Sequence, residues 1–157
     1  MQGQGQPQLD TTMVEFEHLP PPPALDQALL DQINAHITCK NWAMSFQCIT
    51  MLRSICKFHP EHIANLFAQY GLVVLELFTH GATQLTKNIL KLLKEVFQQG
   101  GNVCVEGCVA GFLPVLLKRC TTEKGAIREG CQEILTVITL NCAYVTTIEG
   151  TAADSQR

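Results

Sequence analysis

One spacing governs what this chain can fold into. Trp42, Thr83 and Lys124 each stand at the opening of an apolar run with helical periodicity, and each step between them is 41 residues. The runs lying between them begin near Ala24, Glu61 and Asn102, which are 37 and 41 residues apart. Apolar side chains recurring three and four residues apart specify a helix with one buried face. On that pattern the sequence predicts helices over 24–37, 42–58, 61–79, 82–98, 102–120 and 125–142, with almost no strand alternation. The punctuation agrees. Asn41 is a suitable N-cap, Pro60 closes the second helix, His80-Gly81 ends the third, and Gly100-Gly101 is the strongest breaker in the chain. Pro114 predicts a local break or kink in the fifth helix.

Two helices per unit of about 40 residues is the signature of HEAT and armadillo repeats. The expected fold is therefore all-α: three HEAT-like helical hairpins stacked as a short α-solenoid, an armadillo/HEAT superhelix. The expected division is a flexible Gln- and Pro-rich tail over 1–23, the solenoid over 24–145 and a polar C-terminal tail over 146–157. The proline run at 20–23 reads as a stiff lead into the first helix, or as a ligand for a polyproline-binding partner. The chain is 46% hydrophobic and only 16% charged, which argues against disorder across its length. No apolar stretch is long enough to span a bilayer, so no membrane insertion is expected. The N-terminus has no secretory pattern, and the expected setting is cytoplasmic. The eight cysteines lie within apolar runs, where they read as reduced core residues.

Charge is uneven. Residues 40–128 hold ten of the eleven Lys and Arg but only five of the fourteen Asp and Glu. A basic middle flanked by acidic ends suits an acidic partner surface, whether protein or nucleic acid. Aromatic and basic residues are not interleaved and no nucleic-acid module is present, so nucleic acid is the disfavoured choice.

The segment KNWAMSFQCITMLRSI (40–55) resembles the first repeat of a TOG domain through Trp42, Ile49, Leu52, Arg53 and Ser54. FLPVLLKRCTTEKGAIREGCQEIL (112–135) is similar to the CLASP N-terminal form of that family. The matching residues there are Leu113, Pro114, Leu116, Leu117 and Lys118, then Lys124, Ile127 and Glu129. The resemblance spans about residues 25–145 and implies a non-enzymatic tubulin- or microtubule-binding module that organises the cytoskeleton, in the cytoplasm or the cilium. In that family the turns within the repeats form a thin edge that docks on acidic tubulin. Carried onto this chain, Trp42 is the aromatic contact of the first turn, and Lys124 the basic contact of the third, with Arg128 one turn along. The second turn is Ala82-Thr83-Gln84, with Lys87 one turn on, where the CLASP branch carries an arginine–serine pair. The chain has room for half a complete TOG domain, the half that in the family faces β-tubulin. A generic HEAT or armadillo scaffold for another acidic protein is the alternative.

No motif for catalysis or cofactor binding stands beside these. A phosphate-binding loop, a dinucleotide fingerprint, a nucleophile elbow, H-E-x-x-H and C-x-x-C are all missing from the sequence. Cys104 and Cys108, four residues apart, could clasp a metal, as could His59 and His62 at a turn, but neither pair has two further ligands close by in sequence. No cofactor, no metal and no enzymatic activity are expected.

Overall fold

A computed structural model describes residues 10–99 and 110–155 of the chain. Among them are six α-helices and no strand: α1 (Gln27–Ile37), α2 (Trp42–Phe58), α3 (Ile63–His80), α4 (Thr83–Gln99), α5 (Ala110–Thr122) and α6 (Gly125–Ser155). Each begins for a local reason. The Asp26 carboxylate accepts from Leu29 N at 3.0 Å and caps α1. The Asn41 side chain accepts from the amides of Ala43 and Met44 at 2.9 and 3.3 Å and caps α2, as its sequence position predicts. Pro60 opens a single 3₁₀ turn, Pro60–His62, that feeds α3. The fifth helix was expected from residue 102; its first residues, with Gly100-Gly101, lie outside the described residues, and Pro114 lies inside α5.

Consecutive helices pair as hairpins, α1 with α2, α3 with α4 and α5 with α6. The hairpins stack chiefly through their second helices: α2 packs on α4, and α4 on α6. Cross-links between repeats fix direction and register. Asn88 Nδ2 donates to Phe46 O at 3.1 Å, and Arg53 meets Glu95, both links stepping 42 residues. Lys94 Nζ lies 2.8 Å from Glu133 Oε2, a step of 39. Steps of 35 to 42 residues along the first interface and 39 along the second mean that α2, α4 and α6 run parallel, about one repeat apart. At the second interface the backbones approach closely. A Cβ on Gly130 would lie 2.8 Å from Leu90 Cδ1, so glycine lets α6 seat against α4.

The core runs between the two helix layers. Ile49, Leu52, Ile55, Phe78, Leu85, Ile89, Leu92, Leu93, Val96 and Phe97 are buried there, with Ile127, Cys131 and Ile134 closing the third repeat. One cation is sealed within it. Arg53 is 0% exposed. Its Nε bonds both oxygens of Glu95 at 2.9 and 3.1 Å, its Nη2 bonds Glu95 Oε2 at 2.6 Å, and its Nη1 bonds Asn88 Oδ1 at 3.1 Å. Asn88 also donates to Thr50 Oγ1 at 2.9 Å. The cluster holds one register of α2 against α4, because a slip by one turn would leave a buried charge unpaired.

Two expectations of chain organisation meet a different structure. Residues 10–19 were expected within a free tail, yet they lie along α2 and α4. Leu19 is 3% exposed, Met13 packs on the core, and Lys57 Nζ reaches Phe16 O at 2.7 Å. Apolar anchors at 13, 16 and 19 outweigh the polar composition of this stretch. The last helix was expected to end near residue 142 and give way to a polar tail, whereas α6 continues to Ser155. Once nucleated, a helix adds residues at little cost, and no proline stops it here.

Candidate partner-binding edge

Because the even helices are parallel neighbours, their N-termini fall on one edge of the stack. Trp42 is the first residue of α2 and Thr83 the first of α4, while Lys124 directly precedes α6. The 41-residue step is thus converted into a row of three turn positions, one from each repeat.

Trp42 is 43% exposed. The edge of its ring meets Phe46, one turn on, with centroids 6.4 Å apart and planes at 89°. This T-shaped contact limits the ring's freedom and leaves much of its surface to solvent. Thr83 is exposed. Glu123 and Lys124 form the whole link between α5 and α6, and the link is this short because Gly125 adopts φ +62°, a conformation that side chains disfavour. Lys124 and Arg128 are both exposed, and neither has an acidic partner among the described residues.

Gln84 and Lys87 are placed differently. Gln84 Nε2 donates to Thr11 O at 3.3 Å, and both residues line a cleft between α4 and α6 rather than standing on the row. The structure brings Trp42, Thr83, Lys124 and Arg128 to the starts of the even helices and sets Gln84 and Lys87 at their border with the neighbouring face. Arg53, matched in the sequence only as part of a repeat motif, is the buried register lock and no surface contact. A lone Arg in an apolar stripe marks it as unusual in the sequence, but nothing there names Glu95 as its partner.

Glu61 Oε2 lies 3.7 Å from both His59 Nδ1 and His62 Nε2 in an exposed turn. Among the described residues no group of three His, Cys, Asp or Glu is arranged to hold a metal. Cys104 and Cys108 lie outside the described residues. Burial pushes the Cys48 and Cys56 thiols up to about 12 and the Cys131 thiol up to about 11, so they are protonated and unreactive at neutral pH. No helix among the described residues is long and apolar enough to cross a membrane.

Stacked helical hairpins with an exposed row of turn residues define a HEAT-type helical domain of the scaffold class. The model of the CLASP N-terminal family matches residues 28–153, most of the chain, and the chain belongs to that family. It is a family of HEAT-type domains associated with microtubules and not a known enzyme family. Neither the curated proteins nor the solved structures with which the chain was compared gave a match.

Proposed function

We propose that the chain binds tubulin, in free subunits or in the microtubule lattice, through the N-terminal edge of α2, α4 and α6. The observation that carries this reading is the row itself: an exposed Trp42 at the first turn, Thr83 at the second, and at the third the exposed Lys124 and Arg128, which have no acidic partner among the described residues. Trp42 is the anchor, since a half-packed indole gives large contact area at low entropic cost. Lys124 and Arg128 orient the edge on an acidic surface and hasten encounter more than they add affinity. Thr83 completes the row, with Gln84 and Lys87 at its margin. By the resemblance of its repeats the edge faces β-tubulin and takes part in cytoskeletal organisation.

Cosedimentation with microtubules at two salt concentrations tests the reading. Trp42→Ala should weaken binding by on the order of 2 kcal/mol. Lys124→Glu with Arg128→Glu should weaken it further and flatten its salt dependence. The helical circular dichroism of all the variants should match that of the unaltered chain. If these variants bind like the unaltered chain, the edge is not the tubulin contact. If the unaltered chain neither sediments with microtubules nor comigrates with free tubulin on gel filtration, the tubulin reading fails and the scaffold serves another partner.

A further inference from the structure

The outward face of the even helices carries chemistry that the edge does not use. On α4 the half-buried residues Lys87, Lys91 and Lys94 recur at helical spacing, so the helix shows solvent a ridge of cations. Residues 10–19 lie along this ridge and α2. They carry Asp10, Glu15 and Glu17 with no Lys or Arg. Glu15 pairs with Lys91 at 3.2 Å. Most of the remaining grip is on the backbone: Gln47 donates to Asp10 O at 3.2 Å, Gln84 to Thr11 O at 3.3 Å, and Lys57 to Phe16 O and Glu17 O at 2.7 and 3.2 Å. Apolar contact comes from Met13 and Leu19 on the core, and from Phe16, whose ring lies 5.1 Å from Lys57 Nζ.

We infer that this face is a docking site for an extended acidic segment of another protein, for which residues 10–19 are the resident competitor in cis. Three features point there. Side chains that bond main-chain carbonyls hold any extended chain, whatever its sequence, so the same donors can serve a segment from outside. Lys87, which has no acidic partner among the described residues, and Lys91, whose partner is the strap's own Glu15, supply the charge complement for an acidic segment, while Lys94 is already paired with Glu133. The strap leaves usable space: beside Met13 a cleft of about 740 Å³ opens between α4 and α6, with Lys87, Lys91 and Lys94 on its α4 wall and Glu129 and Glu133 on its α6 wall. A segment that fills the cleft makes the contacts of the strap and more. The strap is also built to yield from its N-terminal side. Its bonds there are neutral amide contacts at 3.2 and 3.3 Å and the partly exposed, weak Glu15–Lys91 pair, whereas further along the Lys57 ammonium holds Phe16 O at 2.7 Å. Leu19 stays buried as the point about which it peels.

The probe is a fluorescent peptide of residues 10–19, titrated into the full chain and read by polarisation. A tethered competitor acts at an effective concentration in the millimolar range, so the unaltered chain should bind the peptide weakly. Replacing the strap anchors, Met13→Ser with Phe16→Ser, should tighten peptide binding at least tenfold. Glu15→Lys, a milder change at an exposed side chain, should tighten it severalfold and keeps the test decisive if the double variant folds poorly. Adding Lys91→Glu to the Met13→Ser, Phe16→Ser variant should remove most of the gain. Equal affinity for the unaltered chain and both strap variants would overturn the inference. So would a gain that survives Lys91→Glu, since the peptide would then sit elsewhere.

Discussion

Arg53 is the residue on which the repeat stack depends most sharply. A guanidinium with no exposed surface is tolerable only because Glu95 and Asn88 together meet it with three acceptor oxygens. Arg53→Met leaves the Glu95 carboxylate buried beside an apolar chain, and should cost about 3–5 kcal/mol. Arg53→Met with Glu95→Met removes both charges and should be less damaging than Arg53→Met alone. Urea unfolding of the two single variants and the double variant closes the cycle, and strict additivity would show that the pair is not coupled. The sequence places Arg53 in a repeat motif but cannot display its partner, because the contact joins residues 42 positions apart. By contrast, Ile49, Leu52 and Ile89 reveal their burial through spacing alone, since period and apolarity are local properties.

At the scale of elements, α2 and α4 begin within a residue of where the sequence puts them, because a cap or a breaker marks each start. Asn41 and Gly81 do this work with chemistry that acts over three or four residues. The strap was less legible. Its acids, followed by the proline run at 20–23, have the composition of a tail, and its fate rests on whether Met13, Phe16 and Leu19 find a surface, which only the assembled stack supplies. The edge was legible in part: equal spacing marks Trp42, Thr83 and Lys124, whereas the turn of Gln84 toward Thr11 depends on that same packed strap. The link from α5 to α6 allows a direct test. Space around Gly125 is open, with nothing within 4 Å of an added Cβ, so any penalty at that position is conformational. Gly125→Ala should therefore lower stability by about 1–2 kcal/mol through backbone strain alone. An unchanged melting temperature would mean that the link relaxes out of its left-handed conformation.

The whole molecule should lose stability in alkali. Cys48 and Cys56, ordinarily near 9.0, rise to about 12 in the fold because burial disfavours the thiolate. Cys131 rises to about 11 for the same first reason. Below pH 9 these thiols are protonated whether the chain is folded or not, and they add no pH dependence. Above pH 9 the unfolded chain releases their protons and the folded chain keeps them, so the unfolded state binds fewer protons and stability falls. The melting temperature should therefore decline between pH 9 and 11, and replacing Cys48 and Cys56 by Ala should flatten that decline while lowering stability at neutral pH. A slope unaffected by the replacements would assign the alkaline loss to other groups.

Joining the helices as hairpins has an electrostatic consequence of its own. Each helix carries a macrodipole equivalent to about half a positive charge at its N-terminus and half a negative charge at its C-terminus. Each short turn sets the C-terminus of an odd helix beside the N-terminus of the even helix that follows, so the two ends largely offset one another along the row of Trp42, Thr83 and Lys124. The charge of the row is therefore set by exposed side chains such as Lys124 and Arg128. A substitution at either position changes the field along the edge almost undiluted by the helix ends.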